Sequence, residues 1–281
     1  MKKLLTGALV LMLALGVTGC SSDDSESGDD TAAVSGTVTM NGSTSMEDLV
    51  ESIIETLAST NPELTISCEY TGSSSGTAAA IEGTANIGNA SRNLKDEELE
   101  TLTENIVAYD GIAVIVSADM DASGIDLSMD DLAAIYKGEI TNWSEVGGED
   151  MAIVVIGRDS ASGTRGAFEE IVGVEDECAY GQEIESTGAV IGKVTETEGA
   201  IGYVSLNVVA DYEDVQALSL DGAEASSENI SNGTYLLFRP FVMATVGTIE
   251  EQSEAVQFIF DFISSEDGQA IISTLGLISA E

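Results

Sequence analysis

The sequence predicts an α/β protein in which strands and helices alternate along the chain. Three observations carry that prediction. Short β-prone runs recur, each ends in a loop rich in Ser, Thr and Gly, and an amphipathic helical pattern restarts after the loop. The chain can also bury the core this class needs, since 43% of its 281 residues are hydrophobic and only 2 are Pro. That length suits one large or two modest domains.

The first element is an address. Lys2 and Lys3 precede an apolar run, Leu4 to Val17, that is too short to span a bilayer as a helix, and small residues lead into Cys20. The ending Val17, Thr18, Gly19, Cys20 resembles the lipobox of bacterial lipoproteins, which implies cleavage after residue 19 and acylation of Cys20. Each methylene of an acyl chain buried in the bilayer contributes about 0.8 kcal/mol, so several chains give a stable anchor. The plain alternative is an ordinary secretory signal. Residues 20–33 are acidic and carry no large apolar side chain, which predicts a disordered tether between lipid and folded body.

The body begins with Val34 to Met40, a β-prone run that ends at Asn41, Gly42, Ser43, Thr44 and Ser45. Met46, Leu49, Val50, Ile53, Ile54 and Leu57 then form the stripe of a helix packed on a sheet, with Thr44 or Ser45 expected at its N-cap. Leu64, Ile66, Cys68 and Tyr70 alternate with polar residues as a strand, Gly72 to Thr77 interrupts, and Ala78 to Ile81 restarts a helical pattern. A shorter case follows at Ile87 and Gly88, then Asn89 to Arg92. In the last, Ala152 to Ile156 reads as a buried strand, Gly157 to Gly163 as the loop, and Thr164 to Val172 as a helix with Phe168, Ile171 and Val172 inward.

A helix N-terminus exposes unpaired N–H groups and about half a positive charge, and Gly lets a ligand approach the backbone. Several such ends converging on one point would make an anion site. The placement of Arg sharpens this: of the four, Arg92, Arg158 and Arg165 lie in or beside these loops, and only Arg239 lies elsewhere. A guanidinium donates bidentately to tetrahedral oxyanions, so Arg158 or Arg92 is a plausible clamp. Each loop taken alone is ordinary capping and turn chemistry; the repetition together with Arg is what points to an oxyanion.

Composition excludes other classes. The chain has 50 acidic residues against 9 Lys plus Arg, no His, and a formal net charge of −41, which becomes more negative once Lys2 and Lys3 are cleaved away. Nucleic acid is excluded as a partner, because phosphate backbones need clustered basic residues. Without His there is no Ser-His-Asp triad and no usual imidazole base, so Gly72-Ser73-Ser74-Ser75-Gly76, which fits G-x-S-x-G, is a poor nucleophile elbow. No Gly-rich loop continues into a P-loop Lys. No enzymatic activity, cofactor or metal is expected. Cys68 and Cys178, in an exported body, read as two unpaired, semi-buried thiols, with a disulfide permitted by compartment.

With these residues in place, the chain resembles the phosphate-binding lipoproteins (PstS type) of bacterial phosphate ABC importers, in their shorter Gram-positive form. The similarity runs from about Val38 to Leu277 and rests on GSTSM at 42–46, TGSSSGT at 71–77, IGNASRNL at 87–94 and YDGIAVIV at 109–116. IYKGEITNW at 135–143, GRDSASGTR at 157–165, GAIGYVSL at 199–206 and NISNGTYLLFRPF at 229–241 extend it.

The resemblance implies phosphate contacts from Thr44, Ser45, Ser74, Ser91 with Arg92 nearby, Arg158, Ser162, Gly163 and Thr164. Where the longer enterobacterial form carries an Asp that accepts the phosphate proton, this sequence reads Ser91. Asp110, beside the expected hinge, is the substitute we consider first and Asp159 the second; a turn Asp capping local backbone is the plain alternative.

The fold implied is the two-domain type II periplasmic-binding-protein architecture with the ligand in the interdomain cleft. Residues 34–111 plus 242–281 would form a discontinuous first domain and 112–241 the second, with crossover strands at Ile112 to Val116 and near Leu236 to Val242. A C-terminal helix, Ser253 to Ser264, would rejoin the first domain. The partners implied are inorganic phosphate and the permease subunits of the importer, with the protein monomeric and anchored on the extracytoplasmic face of the cell membrane through Cys20. The competing readings are a binding protein for another oxyanion, sulfate or molybdate, and an adhesin or signalling lipoprotein on the same fold.

Overall fold

The structure is a computed structural model, and it describes residues 34–280. The expected signal segment, the expected lipidation position Cys20 and the expected tether up to residue 33 lie outside the described residues.

The N-terminal half of the chain alternates as expected: β1 (Gly36–Gly42), a 3-10 turn (Thr44–Met46), α1 (Glu47–Thr60), β2 (Leu64–Glu69), α2 (Ser73–Ile81), β3 (Ile87–Ala90), α3 (Asp96–Leu99), β4 (Leu102–Thr103) and the long β5 (Ile106–Ser117). Next come β6 (Asp126–Leu127), α4 (Met129–Tyr136), β7 (Val154–Arg158), α5 (Gly163–Val172), β8 (Gln182–Ile184), α6 (Thr187–Glu196) and β9 (Ala200–Ser205). The chain closes with α7 (Leu206–Val209), β10 (Val215–Ala217), β11 (Ser219–Leu220), α8 (Ser227–Ser231), β12 (Phe238–Val246), α9 (Glu254–Ser264), α10 (Glu266–Thr274) and β13 (Ile278–Ser279).

One sheet carries the order β2-β1-β3-β12-β5-β9-β7-β8. Its outer pairs are parallel, β1 with β2 and β3 on one side and β7 with β8 and β9 on the other. The central pairs are antiparallel: β12 pairs with β3 and β5, and β5 pairs with β9. Strand β5 serves two neighbours along its length, β12 through residues 106–111 and β9 through Ile112–Ile115.

Packing follows the same division. Two apolar clusters are built from residues before Ile112 and after Arg239, including Val38, Leu49, Ile53, Ile87, Phe241 and Ile259. The other two draw their buried members from Ile112 to Leu237, with Trp143, Phe168, Tyr203 and Val190 among them. Phe168 stacks on Tyr203 with ring centroids 4.1 Å apart, an interaction that stabilises the core beyond the area the two rings bury.

The stripe on α1 packs as its spacing requires: Leu49, Val50, Ile53 and Leu57 are all buried. The boundaries differ where loops prove tighter than composition suggests. Ser43, rather than Thr44 or Ser45, is the capping hydroxyl, accepting from Ser45 N at the start of the 3-10 turn. Helix α2 starts at Ser73, so most of the stretch read as a loop is its first turn. Gly72 makes that possible: its φ of +98° is a conformation side chains resist, and a Cβ there would sit 2.9 Å from Ala161 O.

Candidate functional site

Arg158 ends β7 and is buried, with 1% of its surface exposed. The strand carries it inward, where its Nη2 donates to Thr44 Oγ1 at 3.0 Å and to Glu185 O at 3.0 Å. Nη1 donates to Thr187 Oγ1 at 3.4 Å and Nε to Ile184 O at 3.2 Å. It forms no ion pair among the described residues. The other three Arg all do: Arg92 with Glu98, Arg165 with Glu169 and Glu183, and Arg239 with Asp110. Burial pushes the Arg158 guanidinium below its ordinary value, and Arg239 adds to that; Tyr203 and the half-buried Asp159 act the other way. A buried cation held only by hydroxyls and carbonyls has no opposite charge to offset its desolvation, which favours an anion beside it.

Around it, loops from five places in the chain bring hydroxyls together. Thr44 Oγ1 lies 3.1 Å from Thr187 Oγ1, and Ser45 Oγ lies 2.8 Å from Thr164 Oγ1 and 3.2 Å from Thr187 Oγ1. Ser91 Oγ, just past β3, accepts from Ser43 Oγ at 2.9 Å and lies 3.3 Å from Thr164 Oγ1 and 3.4 Å from Ser73 Oγ. All of these hydroxyls except Ser91 stand at or beside the N-terminal ends of α1, α2, α5 and α6, so helix dipoles and N-terminal N–H groups favour negative charge there. Gly163 opens α5 within this cluster, where a Cβ would collide with Ser73 Oγ and lie 3.0 Å from Ser91 Oγ. Only Gly allows the two loops to meet so closely. Ser162 caps α5, accepting from Arg165 N at 3.2 Å, and Arg165 donates to Arg158 O at 2.9 Å, which fixes the loop from behind.

A cleft of about 450 Å³ reaches Thr44 and Thr187 and is lined also by Glu47, Asp48 and Asp211. Burial raises the Asp48 carboxyl, and the charge of Asp211 raises it further. The approach to the hydroxyl cluster is thus acidic.

Residues 27–266 match the family described as the PBP superfamily domain. A phosphate-binding protein PstS of Bacillus subtilis is 34% identical over 257 residues, covering 90% of this chain and 83% of that one. The chain belongs to the PstS family. A second PstS, from Borreliella burgdorferi, is 29% identical over 99% of both chains. Among solved structures, a Clostridium perfringens protein described as a phosphate ABC transporter substrate-binding protein with bound phosphate superposes with a TM-score of 0.82 at 39% identity. That match covers 88% of this chain and all (100%) of the other. A Vibrio cholerae ABC-type phosphate transport receptor superposes at 0.71 with 30% identity, over 86% of this chain and 99% of that one. The α/β fold is that of PstS structures.

Against the residues that the PstS motifs single out, the structure gathers Thr44, Ser45, Ser91, Arg158, Gly163 and Thr164 in one cluster. Ser162 stands at the cap of α5, and Ser74 at the edge, where its Oγ accepts from Arg92 Nη2 at 3.3 Å and its N–H donates to Ala161 O. Arg92 is not a free clamp: both its terminal nitrogens lie 2.8 Å from the Glu98 carboxylate. Burial alone would raise Glu98, but hydrogen bonds from Arg92, Thr77 and Lys95 N outweigh it and bring the carboxyl down to about 2.

Arg239 and Asp110 form a buried pair that their separation in sequence conceals. Arg239, set apart by its distance in sequence, is at the cluster: its Nη2 donates to Thr164 Oγ1 at 3.4 Å. The Asp110 carboxylate is engaged within the chain: Arg239 Nη1 and Ser205 Oγ donate to its Oδ2 and Asn207 N donates to its Oδ1. It is a mid-strand residue of β5, not a turn. The antiparallel pairing of β5 and β12, which sets Arg239 directly across from Asp110, is a long-range event with no local signal.

Sequence reasoning missed Thr187, Ser43 and Ser73. Thr187 had a signal: Ile184, Glu185, Ser186, Thr187 and Gly188 repeat the strand, Ser/Thr, helix-start pattern once more. Cys68 and Cys178 are both free and half-buried, with burial pushing each thiol up to about 11, so neither is a reactive thiolate.

Proposed function

We propose that this protein captures inorganic phosphate outside the cytoplasm and delivers it to the permease of a phosphate ABC importer. The observation that carries the reading is Arg158, a buried guanidinium with no carboxylate partner among the described residues, ringed by hydroxyls at four helix starts. A tetrahedral oxyanion supplies the missing charge and accepts from Thr44, Ser45, Ser91, Thr164, Thr187 and Arg158. The PstS relatives and the phosphate-bound structure from Clostridium perfringens support phosphate as that anion.

In this reading residues 34–111 with 242–281 and residues 112–241 act as two domains, with β5 and β12 as the crossovers. Closure about these strands brings Thr44, Ser45 and Ser91 against Arg158, Thr164 and Thr187. The division of the apolar clusters supports it. Cys20 carries the lipid anchor. No bond is made or broken: the loaded protein docks on the permease and releases its cargo on opening. The test is calorimetric titration of the body with phosphate, sulfate and molybdate. Phosphate binding that neither competitor displaces is the expected result; tighter binding of sulfate or molybdate assigns the site to that oxyanion, and binding of none overturns the reading.

A further inference from the structure

We propose that Arg239, held by Asp110, is a positioning residue that fixes the Thr164 hydroxyl as a donor toward the anion; this rests on the phosphate reading above.

Arg239 on β12 and Asp110 on β5 are direct cross-strand partners, and both are buried, 2% exposed each. The guanidinium is divided between two tasks. Its Nη1 donates to the Asp110 carboxylate and to the backbone carbonyls of Asp110 and Gly111, which ties it to β5. Its Nη2 turns the other way, donating to Ser205 Oγ at 3.2 Å and Thr164 Oγ1 at 3.4 Å. Phe241 supports the group from one side, its ring centroid 5.1 Å from the guanidinium carbon.

A guanidinium has donors and no acceptor. A hydroxyl facing it therefore accepts there, and its own hydrogen points elsewhere. For Ser205 the acceptors of that hydrogen are Asp110 Oδ2 and Asn207 Oδ1, both away from Arg239 Nη2. For Thr164 the neighbours away from Arg239 are Ser45 Oγ at 2.8 Å and Ser91 Oγ at 3.3 Å, which puts the hydrogen on the side where the anion is read to sit. Arg158 treats Thr44 and Thr187 in the same way. The two guanidinia differ in charge balance: Arg158 awaits an anion, whereas Arg239 already has one in Asp110 and orients a hydroxyl in place of binding. Its anchor also joins strands β5 and β12 to the first turn of α5 and the end of β9.

The test replaces the pair together, because removing one partner would leave a buried charge unpaired. In the double variant Asp110→Leu/Arg239→Met, the thermal midpoint is expected near wild type while phosphate Kd rises at least about tenfold. Thr164→Val in the wild-type background is expected to raise Kd to a similar extent. Added to the double variant it should raise Kd no further, since the hydroxyl it removes is no longer oriented. Arg239→Lys keeps the charge opposite Asp110 but lacks the second N–H arm, so it too should lose affinity while folded. Unchanged Kd in a folded double variant or in Arg239→Lys overturns the inference, as does a Thr164→Val effect that multiplies in full with the double variant. A wild-type protein that takes up no phosphate overturns the functional reading itself, and this inference with it.

Discussion

Arg158 and Arg92 are both buried, 1% and 6% exposed, and both stand where a strand gives way to a Ser-rich turn. They differ in what meets them. Arg92 closes on Glu98 in a two-armed ion pair and has its charge cancelled within the chain. Arg158 meets hydroxyls and carbonyls, so its charge is left for something the chain does not supply. The difference teaches that, in a strongly acidic protein, a binding cation is recognised by the missing carboxylate rather than by its position in a loop.

The comparison can be broken most directly at Arg158. Arg158→Ala is expected to weaken phosphate binding by about 3–5 kcal/mol, the usual cost of breaking a buried ion pair, with little loss of stability, measured by calorimetry and thermal melting. Arg92→Ala should reverse the pattern. It strands Glu98 inside the protein, so stability falls by a similar amount in urea titration while phosphate affinity in the folded protein changes far less.

The Arg92 side is sharpened by pH. Glu98 titrates lower in the folded chain, about 2 against an ordinary 4.5, so its contribution is full above 4.5 and lost as pH falls toward 2. Glu98→Gln should remove this part of the dependence of thermal midpoint on pH; an unchanged acid slope would show that the pair does not act this way.

A smaller effect is expected at Thr187→Val, which deletes one hydroxyl fed by Arg158 and should weaken phosphate binding by about 1–3 kcal/mol. The smallest is at the cleft mouth, where Asp211→Asn removes one carboxylate from the path of an incoming anion. Stopped-flow association should become modestly faster and less dependent on salt, without a comparable change in the off-rate.

Much of this was legible in the chain. The stripe from Met46 to Leu57, the strand, loop and helix repeats, and the Ser/Thr loops around Arg158 follow from local periodicity and turn chemistry, which depend on neighbours in sequence. What could not be read were the partners of the charges. Nothing local to Arg239 shows the carboxylate across from it, and nothing local to Asp110 shows the cation it meets.

The sequence by itself thus determined the alternation of elements, the acidic body, and the supply of hydroxyls and Arg from which an anion site could be made. The tertiary structure alone decided which Arg was left unpaired. Pairing of buried charges depends on strand register and on contacts between residues about a hundred positions apart, such as Asp110 with Arg239 and Arg158 with Thr44. The free energy of a buried charge is set by what surrounds it in space, and no local pattern encodes that.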